Sequence, residues 1–498
     1  MTVKKTTGFF FGLICFVLAL GLMSCNRAGA ARPSDLGDGP VEITLALNFD
    51  GIEPPPLGAD AQRRVEEYTN TRLFPTWYAN WGQVYPAMLA SGDLPDIITT
   101  SDNALTRDSM LAGMFWDLNN FLADTNHIKN LNPVILQNAS QDGMLIGTPK
   151  VRPLVRRIIL YRKDWADNLG IAHPRTVPEF YEMLRAFTYD DPTGTGARTY
   201  GLATQTDGLS LTFFSFFFDG PNTWDNRNGE FVHEFTTQEF FQGMSFLRRL
   251  FAEGIMHPEW ATIPRNQQNV VFQDGMILGG MLNNTNSFLQ NGAPLASRMP
   301  ESDVAGIIHL VSPTGQVRSI GESGNNGFLS IPSTVPEAKA RRIMRFLDML
   351  ADEEMASLFV WGIEGIHHTV QNGQAVHIPG TEARFVAEVR YPWELPFGVV
   401  RYETFARPGI FNRFNIMQME IEDEGELYSH TNPTFGLFSQ TMAERGSSLD
   451  QLRSDAAVRF VNGIINEDQY WAEVTRWRNQ GGDQIARELA DAFARSRR

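Results

Sequence analysis

Between residues 41 and 100, short apolar runs alternate with stretches whose apolar residues recur at helical spacing, and this alternation constrains the fold more than any other feature. The run 41–49, VEITLALNF, alternates and then becomes continuously apolar, which predicts a strand that is increasingly buried. After a break at Pro54-Pro55-Pro56, Ala61, Val65 and Tyr68 fall on one helical face. Leu73-Phe74 predicts a second strand, and Val84, Met88 and Leu89 a second helix. The run 91–100, SGDLPDIITT, predicts a turn entering a buried strand. Strands alternating with helices form βαβ units and a mostly parallel sheet, so the fold class is α/β.

The same grammar returns later in the chain. Phe328 to Ile331 is a short apolar run closed by Pro332, and Thr334 with Glu337 has the spacing of a capping box, with Pro336 in the first turn. Ile343, Phe346, Leu347 and Leu350 then share a helical face, leaving Arg341 and Arg342 to solvent. A short helix over 353–359 runs into Gly362 and Gly365. Thr176 and Glu179 repeat the box ahead of Phe180, Met183, Leu184 and Phe187, while Asn466 and Gln469 form a similar pair ahead of Tyr470, Val474 and Trp477. Asn228-Gly229, between Trp224 and Phe231, is a hairpin turn signal. The run 213–218, FFSFFF, is core.

The N-terminus has a different character. Lys4 and Lys5 precede an apolar stretch over 9–20, which is too short for a membrane span and has the layout of a secretory signal peptide. Its exit, Leu22-Met23-Ser24-Cys25, resembles a bacterial lipobox, in which Cys25 would be acylated and become the new N-terminus. A non-lipid signal peptide or an uncleaved anchor are the alternatives. Residues 26–40, rich in Ala, Gly, Pro and Asp, predict a flexible tether. Cys15 and Cys25 are the only cysteines, so the globular part has neither a disulfide nor a Cys-based metal site. A net charge of -15 argues against nucleic acid as partner.

Three stretches carry a family resemblance. These are 327–373 with its GIEGIHHTVQNG, the GDLPDI run at 92–97, and YDDPTGTGARTYGL at 189–202. Together they closely resemble the bacterial extracellular solute-binding proteins of ABC importers, in the lipoprotein branch of that family. The resemblance implies a periplasmic-binding-protein-like α/β fold: two lobes joined by a multi-strand hinge, with a ligand cleft between them. It places lobe one at 41–155 plus 310–375 and lobe two at 156–309 plus 376–498, with crossings near 158–161 and 307–311. It also implies capture of a small solute by hinge closure and its delivery to an ABC permease. An oligosaccharide is the expected solute, with peptide left open. The protein would be a monomer, lipid-anchored on the extracytoplasmic side of the cell membrane, and not an enzyme. A carbohydrate-active enzyme using the same cleft, or a surface interaction protein without a working cleft, are the rival readings.

Ligand sites in open α/β sheets lie beyond the carboxyl ends of the strands. That rule selects Asn48, Phe49 and Asp50 after the first strand, and Thr100, Ser101, Asp102 and Asn103 after the third. By resemblance, Asn283 and Asn284 hold the corresponding place in the other lobe, while Trp361, Glu364 and Trp393 come from later loops. A sugar ring has an apolar face that stacks on aromatics, which adds Trp77, Trp81 and Trp224. Relatives often carry a calcium loop at 190–198, where calcium wants six to eight oxygens. Here Thr193 and Thr195 stand where Asp or Asn is expected and Arg198 brings a positive charge, so the loop is expected to be metal-free and held by an Arg198–Asp191 contact, with calcium bound at Asp190–Arg198 as the alternative. No cofactor is expected. His367, His368 and His430 could meet in space, but no sequence motif demands it.

Overall fold

Alternate burial along Val41–Asn48 puts Val41, Ile43, Leu45 and Leu47 in a core, as the run of apolar residues requires. This structure is a computed structural model that describes residues 39–49, 53–54 and 56–496; the expected signal segment, Cys25 and Asp50 lie outside the described residues. Thr71–Tyr78 pairs in parallel with the first strand, from Val41 opposite Thr71 to Asn48 opposite Tyr78. Ile97–Thr100 pairs in parallel on the other side. Parallel neighbours need crossovers, and the helices Asp60–Thr69 and Trp81–Ser91 supply them.

The sheet is then completed by two strands of opposite sense. Asn325–Ser330 runs antiparallel to Ile97–Thr100, and Thr148–Val151 runs antiparallel to Asn325–Ser330 at the edge. A bulge between Asn325 and Phe328 brings Gly327 against the carbonyl of Thr100; its φ is +88° and a Cβ there would lie 2.5 Å from that oxygen. Asp96, from the 92–97 motif, ties the lobe together. Its carboxylate accepts from the Thr44 amide at 2.8 Å and the Thr44 hydroxyl at 2.9 Å, and pairs with Lys339 at 2.7 Å.

The second lobe differs from the expected parallel sheet. Gly280–Asn284, Arg157–Arg162 and Val304–Ile307 form three antiparallel strands, because the central strand enters from the hinge and both neighbours run back toward it. Helices Val177–Tyr189, Gly208–Phe216 and Gln238–Ala252 pack with the C-terminal helices around an aromatic core that includes Phe180, Phe214, Phe235, Tyr470 and Trp477. The boxes at Thr176/Glu179 and Asn466/Gln469 form as the spacing requires. The one at Thr334/Glu337 does not. Pro336 takes the N-cap, the helix Glu337–Met349 starts immediately after it, and Glu337 pairs instead with Arg341.

The lobe boundaries also move. Val389, Trp393, Phe397, Val399 and Tyr402 share a core with Ile43 and Leu45, so residues 376–411 stay with the first lobe instead of opening the second. Ile307 pairs with Ile159 and Val311 bridges Thr176, so 307–311 belongs to the second lobe and the return crossing falls at 312–324. The outgoing crossing at 152–156 lies beside it, with the Glu322 amide donating to the Leu154 carbonyl and the Arg152 amide to Gly324. A third passage follows Phe411, which packs on Trp361, and enters the helix Arg413–Glu426 along the hinge.

Candidate ligand cleft

Strand direction decides which residues face the gap between the lobes. In the first lobe Asn48, Tyr78, Thr100, Asn325 and Val151 all end at one edge of the sheet. In the second lobe Arg157 and Asn284 stand opposite each other at the end where the crossing strand enters. The cleft is the space these two edges share, reached by the three hinge passages.

On the first wall, Asn48 is half-buried, and its amide donates to Thr99 Oγ1 at 3.4 Å. Ser101 is exposed. Asp102 accepts from Gln141 Nε2 at 3.2 Å and lies 3.6 Å from Arg107. Its carboxyl is pushed above the usual range by desolvation, and Arg107 opposes the shift. The Asp102 side chain remains 40% exposed. Trp81 is half-buried at the start of its helix and stacks on Tyr85 at 5.8 Å and 16°. Trp77 meets Phe49 and Trp393 edge-on. The indole nitrogens of Trp77 and Trp81 are buried without a hydrogen-bond partner.

Several expected residues do other things. Thr100 is fully buried, sharing a hydrogen bond with Ser330 Oγ at 2.8 Å. Asn103 caps the helix Ala104–Leu111 by accepting from the Thr106 amide at 2.9 Å. Trp361, Trp393 and Trp224 are interior rather than cleft residues, since their large apolar rings are held by packing. Trp361 packs on Phe411 and donates to the Arg407 carbonyl at 3.0 Å. Trp393 stacks on Phe397 at 9°. Trp224 lies against His233 and Trp477, beside a hollow of about 310 Å³ within the second lobe. Glu364 sits on the surface turn leading into the 368–377 hairpin, 3.7 Å from Arg407.

The second wall is richer than the sequence suggested. Asn283 is buried, donating to Asn269 at 2.9 Å and accepting from Arg265 at 3.3 Å, while Asn284 is half-exposed. Around them stand Arg156, Arg157, Asp207, Arg265 and Glu322, which the sequence reading did not select. Arg265 pairs with Asp207 at 3.0 Å, and Arg157 lies 3.6 Å from Glu322 and 4.0 Å from Asp207. The available signal was Arg156-Arg157 immediately ahead of a buried strand, where charge is out of place unless it has a partner or a task.

The 190–198 loop is not held as expected. Asp191 accepts from the amides of Thr195 at 3.1 Å and Gly196 at 3.0 Å, whereas Arg198 donates to the Gly254 carbonyl at 2.8 Å between the rings of Tyr189 and Tyr200. His367 and His368 are engaged by the Ile363 amide and the Trp361 carbonyl, and His430 lies on a separate strand by the hinge. Among the described residues no group of three His, Cys, Asp or Glu side chains is arranged to hold a metal ion, and no helix is long and apolar enough to cross a membrane.

Amides, guanidinium groups, carboxylates and a half-open indole on two facing walls suit a ligand rich in hydroxyl groups. Known proteins agree with this architecture. The model of the bacterial extracellular solute-binding protein family matches residues 71–357. The polygalacturonan/rhamnogalacturonan-binding protein YtcQ of Bacillus subtilis (strain 168) is 30% identical, over 97% of this chain and 98% of its own. Lipoprotein LipO of the same organism is 27% identical over 96% and 97%. Among solved structures, the S. pneumoniae ABC-transporter substrate binding protein FusA in complex with kestose superposes with a TM-score of 0.67 at 14% identity, over 92% of this chain and 99% of that one. The chain belongs to the bacterial extracellular solute-binding protein family.

Proposed function

We propose that this solute-binding protein captures an oligosaccharide outside the cytoplasm and delivers it to the permease of an ABC importer. Acyl chains on Cys25 would hold it to the membrane through the 26–40 tether. The observation that carries the reading is the pair of facing strand edges, Asn48 to Asn325 on one lobe and Arg157 with Asn284 on the other, with Trp81 half-open beside them. Ligand contacts to both walls exist together only when the lobes shut, so binding energy favours the closed form. The names of the relatives support a saccharide, and they divide between acidic polymers such as polygalacturonan and neutral sugars such as kestose. No bond of the ligand is made or broken in this scheme.

The test is a thermal-shift screen of the mature chain against oligosaccharides and peptides. A ligand at about 100 times its Kd adds about 2.7 kcal/mol of stability. A raised melting temperature with an oligosaccharide and not with peptides is expected, and Trp81→Ala should reduce the shift. Stabilisation by peptides alone, or release of a shortened sugar product, would replace this reading.

A further inference from the structure

We infer that Arg157 and Arg265 form a carboxylate-reading site on the second-lobe wall, so that the preferred ligand is an acidic, uronate-type saccharide. The inference rests on the cleft being an oligosaccharide site. Its starting point is an unmet need. Nε and Nη1 of Arg157 are buried and have no hydrogen-bond partner, and the side chain is only 13% exposed. An arginine presents five N–H donors, and charged donors left unsatisfied away from water are strongly unfavourable. Glu322 Oε1, also without a hydrogen-bond partner, ion-pairs with Nε at 3.6 Å and Asp207 with Nη2 at 4.0 Å, so Nη1 is the donor with no ion pair of its own.

Asp207 is moreover committed elsewhere. Its Oδ1 caps the helix Gly208–Phe216 by accepting from the Ser210 amide, and its Oδ2 accepts from Ser210 Oγ at 2.7 Å and Arg265 at 3.0 Å. Arg156, Arg157 and Arg265 thus face two carboxylates, leaving one positive charge in excess in a chain whose net charge is -15. Burial lowers the Arg265 pKa, Asp207 opposes that, and Arg157 is close enough to lower it further. Two guanidinium groups held together in a part-desolvated cleft are matched by an anion with two oxygens, and a planar carboxylate fits the guanidinium fork. Asn284 and the Asn283–Asn269 pair alongside offer neutral hydrogen bonds to hydroxyls.

The experiment is calorimetric titration of the mature chain with trigalacturonate and trimannuronate, each beside its methyl ester, and with maltotriose and kestose. The native protein should bind an acid about tenfold or more tightly than its ester, with the preference shrinking as salt rises. Arg157→Gln and Arg265→Gln should abolish that preference, and Arg157→Lys should keep part of it. If Arg157→Gln does not fold, the acid-against-ester comparison on the native protein decides. Equal or tighter binding of esters or neutral sugars would overturn the inference while leaving the oligosaccharide reading intact. Binding of none of the six ligand types would overturn both.

Discussion

Arg453 and Glu234 show how a buried charge can imitate a site. His233-Glu234 reads like half of a zinc-binding helix, yet Glu234 is fully buried, 2.6 Å from Arg453 and accepting from Thr212 at 2.7 Å. Burial pushes its carboxyl from 4.5 up to about 7, against the pull of Arg453 and Thr212. Because the folded value lies above the unfolded one, the contribution to stability is full below pH 4.5 and is lost as pH rises through about 7. Arg453→Met strands the carboxylate and should cost about 3–5 kcal/mol at pH 8, and clearly less at pH 5, where Glu234 can hold a proton. Urea unfolding at the two pH values checks this, and equal losses would refute it. At this scale Asn48 and Asn284 end their strands, and Ser101 and Asp102 follow the strand Ile97–Thr100. The sequence could not tell that Thr100 is sealed by Ser330, a partner distant in sequence that leaves no local trace, whereas the Asn103 cap is a local contact with the Thr106 amide.

The same T-x-x-E spacing gives two outcomes at the scale of elements. Thr176 and Glu179 close a full box. Thr334 fails because Pro336 occupies the cap and shifts the helix start, leaving Thr334 exposed. Thr176→Ala should therefore cost about 1 kcal/mol and Thr334→Ala less than about 0.5 kcal/mol, compared by urea midpoints. Equal effects would show that the two helices start alike. Strand identity was equally readable from apolar runs, but strand sense was not. Asn325–Ser330 looks like any buried strand and is antiparallel only because the chain re-enters the lobe from the hinge.

For the whole molecule, the two lobes keep largely separate cores, and the hinge helix Arg413–Glu426 lies between them. Glu422 on that helix accepts from Thr285 of the second lobe at 2.5 Å and pairs with Arg401 of the first at 3.3 Å. Gly425 packs against Val155 and Ile308, where a Cβ would lie 2.5 Å from the Ile308 side chain. A hinge of three passages permits rotation while restricting its direction. Saturating oligosaccharide should lower the radius of gyration in X-ray scattering, and Gly425→Val should blunt that change. Scattering unaltered by a ligand known to bind would mean that the lobes do not move relative to each other.

The sequence by itself determined the strands at 41–48, 97–100 and 328–330, the helices that follow them, the α/β class and the family, because apolar periodicity and the 92–97 and 362–373 motifs are local patterns. Only the tertiary structure decided that residues 376–411 return to the first lobe, that Trp224, Trp361 and Trp393 are interior, and that Arg157 and Arg265 both stand beside Asp207. Those facts depend on which distant segments come to share a core or a wall. A side chain's partners there are set by three-dimensional proximity, which no spacing along the chain encodes.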